Sequence, residues 1–126
     1  MTNHNLAFII EDNPILSASI AKVLELEGLK TEQIPDGKQA LYRLSVEAPR
    51  LVILDLNLPN VSGVEILEFI NHSLHLVNTI TVVASADAIR AESLEHRAHM
   101  VLVKPFNTQQ LAALCRRLIK DPQAYI

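Results

Sequence analysis

The stretch Leu51 to Gly63 reads LVILDLNLPNVSG. Apolar residues run straight into one acid, Asp55, and turn formers follow: Asn57, Pro59, Asn60, Ser62 and Gly63. A short apolar run bounded by turn residues fits a strand buried on both faces. Asp55 then stands at the carboxyl end of that strand, dry on one side and open on the other.

The same alternation repeats on either side. Leu6 to Ile10 is an uninterrupted apolar run, followed by Glu11, Asp12, Asn13 and Pro14. Asn13 suits a helix N-cap and Pro14 the first helical position. Leu16, Ile20, Val23 and Leu24 share a helical face that Gly28 ends. Leu29 to Ile34 reads as a polar edge strand, Pro35-Asp36-Gly37 as a turn, and Ala40, Leu41 and Leu44 as a second helical stripe. Beyond Asp55, Ile66, Leu67 and Ile70 mark a third helix starting near Ser62. Thr79 to Ala84 is a fourth strand and Ala88 to His96 a short helix with a poor stripe. Met100 to Val103 is a fifth strand, and Asn107 or Thr108 caps a last helix with Leu111, Leu114, Cys115 and Leu118 inward. The final residues, Asp121 to Ile126, are expected to fray.

Strands apolar on both faces, alternating with helices, predict an α/β fold: a parallel sheet covered by helices on both faces. For five such units the doubly wound order 2-1-3-4-5 is expected, with ligands bound where strands one and three diverge. Glu11, Asp12 and Asp55 all map to that crevice. At about 4 Å and an effective dielectric near 20, each like-charge pair costs about 4 kcal/mol. The cluster therefore calls for a counter-charge or protonation, and a hard divalent cation such as Mg²⁺ is the economical answer. Glycines that would cradle a bare phosphate are missing from the first loop. Taken alone, Glu11-Asp12 reads better as helix capping and Asp55 equally well as a turn acid; it is the convergence of all three that favours a site. Ser85 ends strand four and Lys104 ends strand five, where a hydroxyl and an ammonium reach the same crevice.

At 126 residues, 49% hydrophobic and 20% charged, the chain is one globular domain by length and balance. We expect a single unit over 1–126, with its core over about 5–120 and no output domain. The net charge of −3 argues against direct nucleic-acid binding, although Arg116, Arg117 and Lys120 cluster near the end. One cysteine, Cys115, precludes an internal disulfide and reads as a small buried hydrophobe. No signal peptide or membrane-spanning run is present in the sequence, so a cytoplasmic protein is the default. His72 and His75, or His96 and His99, are spaced for a helical face but lack the acids or thiols of a metal site.

In this order, at the ends of strands one, three, four and five, Glu11-Asp12, Asp55-Leu56-Asn57-Leu58-Pro59 with Gly63, Ser85-Ala86 and Lys104-Pro105-Phe106 resemble the receiver domain of two-component response regulators. The resemblance covers nearly the whole chain and implies the flavodoxin-like form of the doubly wound fold. It implies that Asp55 accepts a phosphoryl group from a sensor histidine kinase or phosphotransfer protein. It implies Mg²⁺ held by Glu11 or Asp12, Asp55 and the main-chain carbonyl of Asn57. Ser85 and Lys104 would engage the phosphoryl oxygens, and the Lys104–Pro105 peptide would be cis. The chain would be a signalling phospho-acceptor, not a turnover enzyme. Its change would be read by a second copy or a downstream protein on the face of the fourth helix, fifth strand and fifth helix.

Val101 stands where the family usually carries an aromatic switch residue, and the segment from Ser85 to Lys104 is shorter than usual. The fourth helix should therefore be short or distorted. Two other readings stand beside the receiver. One is a degenerate pseudo-receiver serving only as an interaction module. The other is an aspartate-nucleophile phosphatase of the haloacid dehalogenase kind, disfavoured because Asp55 follows the third strand and Asn57 sits where a second acid belongs.

Overall fold

The computed structural model describes residues 2–120; the expected fraying of Asp121 to Ile126 lies outside them. The elements are β1 (Asn3–Ile10), α1 (Pro14–Leu26), β2 (Lys30–Ile34), α2 (Gly37–Val46), β3 (Pro49–Asp55), α3 (Gly63–Asn71), β4 (Ile80–Ser85), α4 (Ala88–Ser93), β5 (Met100–Val103) and α5 (Thr108–Lys120). One 3₁₀ turn, Leu74–Leu76, precedes β4. The five strands form one parallel sheet in the order β2-β1-β3-β4-β5. This is the doubly wound arrangement expected from the sequence.

Strand alternation divides the core in two. Phe8, Ile10, Val52, Leu54 and Val83 face α2 and α3, meeting Ala40, Leu44, Ile66, Leu67 and Ile70. Ala7, Ile9, Leu51, Ile53 and Val82 face α1 and α5, meeting Ile20, Leu24, Leu111, Cys115 and Leu118. Each fully buried Leu, Ile or Phe contributes about 1.5–3 kcal/mol of transfer free energy, so the central strands anchor everything at their ends. Side chains start the helices. Asn13 accepts from the Ile15 and Leu16 N–H groups ahead of Pro14, and Asp36 accepts from Lys38 and Gln39. Ser62 accepts from Glu65 and Asp87 from Arg90. Asn107 and Gln110 cap reciprocally, each side chain accepting from the other's N–H at 2.7 and 3.2 Å. Gly28, at φ +93°, ends α1 in the left-handed region that favours glycine.

Several boundaries differ from expectation. β1 starts at Asn3 rather than Leu6, because backbone pairing extends through exposed polar residues once Asn3 pairs with Pro49 across a register shift. α4 stops at Ser93 rather than His96: Leu94 is buried at its C-cap, and turns follow. Consequently His96 and His99 do not share a helix. Nor do His72, which caps the end of α3, and His75, whose Nε2 lies 2.7 Å from the Leu44 carbonyl. Cys115 is fully buried, and burial pushes its thiol up to about 12, so it serves as core.

His99 takes part in the sheet. Its N–H donates to the Thr81 carbonyl at 2.9 Å, and its Nδ1 accepts from the Thr81 N–H at 3.0 Å. Burial lowers its pKa below the ordinary value, so the native state holds the ring neutral. Below that ordinary value the unfolded chain takes up a proton the native state refuses, and stability falls with pH. His99→Asn keeps an acceptor but does not titrate. Between about pH 7.5 and about pH 5.5, the wild type should lose more melting temperature than His99→Asn. Equal losses in the two proteins would remove this ring from the pH response.

Candidate functional site

The Glu11 N–H donates to the Ile34 carbonyl at 3.1 Å, carrying the β1–β2 ladder one residue past β1. Glu11 thereby continues the alternation of Ala7 and Ile9, as Asp55 continues that of Leu51 and Ile53, and both acids point to one side. Both are buried, with 4% and 5% exposure, whereas Asp12 is exposed at the rim. The Glu11 Oε2 accepts from the Asn13 N–H at 3.1 Å. The Asp55 Oδ1 accepts from the Asn57 N–H, also at 3.1 Å.

The loop after Asp55 folds back on its own strand. Gly63 donates to the Leu56 carbonyl at 3.0 Å, and a Cβ at position 63 would lie 2.4 Å from the Asp55 carbonyl oxygen. No side chain fits that approach. Gly37 holds the loop from the other direction, donating to the Pro59 carbonyl at 3.2 Å.

Lys104 enters from the far edge of the sheet. Its N–H donates to the Ser85 carbonyl at 2.8 Å, and its peptide bond to Pro105 is cis. The ammonium Nζ lies 2.6 Å from Glu11 Oε1 and 3.3 Å from Asp55 Oδ2. Burial opposes the charge on Lys104, but the Glu11 hydrogen bond and the Asp55 carboxylate outweigh it and hold the ammonium above its ordinary pKa. Burial raises the Glu11 carboxyl above its ordinary range, against the hydrogen bonds from Lys104 and Asn13. Ser85 is fully buried; its Oγ accepts from the Asp87 N–H at 3.1 Å and keeps its own proton to donate.

Carboxylate oxygens of Glu11, Asp12 and Asp55 all lie within 4.8 Å of one another. Three acids against one ammonium leave the crevice negative. Hard oxygen donors at this spacing, two of them buried, suit a small divalent cation. The structure thus brings Glu11, Asp12, Asp55 and Lys104 together, with Ser85 at the neighbouring strand end. Asn57 sits at the mouth, its side chain accepting from Arg90 Nη1 at 3.3 Å. Sequence reasoning missed Arg90, because the poor stripe of its helix marks no functional face. It also left open which of Glu11 and Asp12 turns inward, although strand parity carried that signal.

The family model described as the response regulator receiver domain matches residues 7–116. The chain belongs to that family. Among curated relatives, the receiver domain is 30% identical over 125 residues to the alkaline phosphatase synthesis transcriptional regulatory protein SphR of Synechococcus elongatus, covering 91% of this chain and 49% of that protein. It is also 30% identical over 115 residues to the phosphate regulon transcriptional regulatory protein PhoB of Rhizobium meliloti, covering 89% of this chain and 51% of that one. The chain therefore spans about half the length of these relatives. Its fold matches the signal receiver domain of a Luxo repressor protein from Vibrio parahaemolyticus with a TM-score of 0.83 at 24% identity, covering 94% of this chain and 92% of that one. A CheY-like receiver domain from Methylobacillus flagellatus matches at 0.80 and 22% identity, covering 90% and 98%. Among the described residues no helix is long and apolar enough to cross a membrane.

In this receiver domain the loop geometry at Gly63 fixes where Asp55 stands. Gly63→Ala should lower stability by about 1–3 kcal/mol, the usual cost of forcing atoms into a filled space. Urea unfolding measures it; a loss under about 0.5 kcal/mol would mean that the loop swings aside freely.

Proposed function

We propose that Asp55 is the phospho-acceptor of this receiver domain, supplied by a phosphohistidine of a sensor kinase or phosphotransfer protein. The observation that carries the reading is the buried Asp55 carboxylate, flanked by Glu11 and Asp12 and touched by the Lys104 ammonium. An Asp55 oxygen attacks phosphorus, the P–N bond breaks, and the histidine nitrogen keeps the electron pair and takes up a proton. Water later breaks the new P–O bond, releasing phosphate and restoring the carboxylate.

Glu11 or Asp12, Asp55 and the Asn57 main-chain carbonyl would hold Mg²⁺. Bound there, the ion supplies positive charge to the transferring oxygens and relieves the crowding of acids. Lys104 orients the carboxylate and then the phosphoryl group as a fixed cation. Ser85 donates its hydroxyl proton to a phosphoryl oxygen. The chain acts as a signalling acceptor rather than a turnover enzyme, within the cytoplasm.

An apolar cleft of about 350 Å³ lined by Leu16, Ala86, Lys104, Pro105 and Phe106 opens beside the site. It supports docking of the phospho-donor there. The transcription-factor relatives bind DNA as whole proteins in at least one named case, the DNA-binding response regulator MtrA of Mycolicibacterium smegmatis. For residues 1–126 we propose protein partners instead, because the net charge is −3.

With acetyl phosphate and Mg²⁺, mass spectrometry should find the adduct on Asp55, with labelling reduced more than about tenfold in Asp55→Asn. Glu11→Gln with Asp12→Asn should show no Mg²⁺-dependent labelling. Labelling of Asp55→Asn equal to wild type would reject the assignment.

Output is proposed to leave through α4, β5 and α5 to a downstream protein or a second copy. Val101 is too small and stiff to swing as an aromatic switch does. The signal then passes through the loop after Ser85 and the six-residue α4, of which only Ala91 is buried. Ile89, 82% exposed, and Val103, 46% exposed, give a reader apolar contact. Beryllofluoride should change hydrogen-exchange protection from Ala86 to Met100, and Ser85→Ala should abolish that change. Changes confined to Asp55 and Asn57 would mean that the domain binds phosphate without transmitting by this route.

A further inference from the structure

Arg90 lies at the mouth of the acidic crevice. Its backbone is fixed in the first turn of α4, where the Arg90 N–H donates to Asp87 Oδ1 at 3.0 Å. Its guanidinium reaches over the loop after β3 and donates from Nη1 to Asn57 Oδ1 at 3.3 Å. Asn57 in turn donates its N–H to Asp55 Oδ1 at 3.1 Å. A single residue therefore separates this cation from the carboxylate.

The charge on Arg90 is unspent. Arg43, Arg97 and Arg116 pair with Glu32, Glu68 and Glu27 at 2.6, 2.8 and 3.3 Å. Arg90 pairs with no carboxylate among the described residues; its side-chain partner is a neutral amide at a long distance. The deep cation, Lys104, is already engaged by Glu11 and Asp55. A phosphoryl group reaching Asp55 meets one committed cation below and one uncommitted cation at the rim. A guanidinium is a planar fork of donors, weakly hydrated and matched to phosphoryl oxygens. Exchanging a neutral acceptor for a charged one strengthens its hydrogen bond and places its charge where new negative charge arrives.

Resting on Asp55 as acceptor, we propose that Arg90 is a phosphoryl-binding residue at the rim. It releases Asn57 and takes a phosphoryl oxygen, first of the donor and then of phospho-Asp55. In the second role it covers the path by which water attacks phosphorus and cleaves the P–Oδ bond to release phosphate. The short α4, starting three residues after Ser85, is what sets the arginine at this distance from the mouth.

The test uses the full chain with radiolabelled acetyl phosphate and Mg²⁺, comparing wild type with Arg90→Ala, Arg90→Gln and Arg90→Lys. Two quantities are read: the acetyl phosphate concentration giving half-maximal labelling rate, and the half-life of phospho-Asp55 after donor removal. Arg90→Ala should raise the first about tenfold and shorten the second severalfold, as expected for losing a hydrogen bond to a charged group. Arg90→Gln can still donate to Asn57 but carries no charge, so it should behave like Arg90→Ala, whereas Arg90→Lys should recover part of both quantities. Melting temperatures within about a degree or two of wild type are expected for all three. Rescue by Gln would assign Arg90 a purely structural tie to Asn57 and overturn the proposal. Values for Arg90→Ala within about twofold of wild type would also overturn it, while normal labelling of Asp55 in the wild type would leave the acceptor assignment standing. Absence of labelling at Asp55 in the wild type would reject both.

Discussion

The Lys104–Glu11 ion pair, at 2.6 Å, is the interaction on which the arrangement turns. It joins the ends of β1 and β5, which are not neighbours: β3 and β4 lie between them. The same ammonium touches Asp55 on β3. Three carboxylates in one crevice repel by about 4 kcal/mol per close pair, so without a cation one of them would hold a proton. A buried pair brings no guaranteed gain over apolar packing, but loss of one partner leaves a charge stranded at a cost of about 3–5 kcal/mol. Lys104 thus ties three strand ends together. What stabilises the resting state is the group that any change of charge at Asp55 must redirect.

The two edges of the sheet are built differently. At the β2 edge, Arg43 pairs with Glu32 and lies over the Phe8 ring, 5.5 Å from its centroid. Lys30, Glu32 and Gln33 make that strand polar, which discourages pairing with other chains. At the β5 edge the strand has only four residues, none fully buried, and the helix beside it has six. Packing is dense at the centre and thin at this end. Local opening costs least where few apolar contacts are lost, so the end of the sheet beside Ser85 is its most compliant part.

Much of this was legible in the sequence because strand ends and helix starts carry local chemistry. Leu51 to Asp55 identified the central strand, Asn13-Pro14 a helix start, and the acids a shared crevice. The strand order followed from the alternation of elements. The structure adds what depends on three-dimensional reach. Nothing local says that Glu11 rather than Asp12 meets Lys104, unless the parity of Ala7 and Ile9 is extended past the strand. Nothing local says that Arg90 leans over Asn57, because a helix this short has no periodicity to read. The end of α4 was misjudged for the same reason: the helix stops at Ser93, and Leu94 reaches the core from its C-cap. The helical spacing of the histidines does not survive either, and His75 and His99 are instead occupied by backbone groups of other elements.

The Lys104–Glu11 contact also joins positions 93 residues apart, and this bears on how the molecule is made. A ribosome delivers Glu11, Asp12 and Asp55 before Lys104. Until the fifth strand emerges, Glu11 and Asp55 lack the Lys104 ammonium that touches both of them. Contacts this remote also slow folding, since loop closure comes before any reward. The Asp55 carboxylate therefore meets the Lys104 ammonium only after β5 has joined the sheet. The crevice is thus completed last, although its acids stand at the ends of β1 and β3.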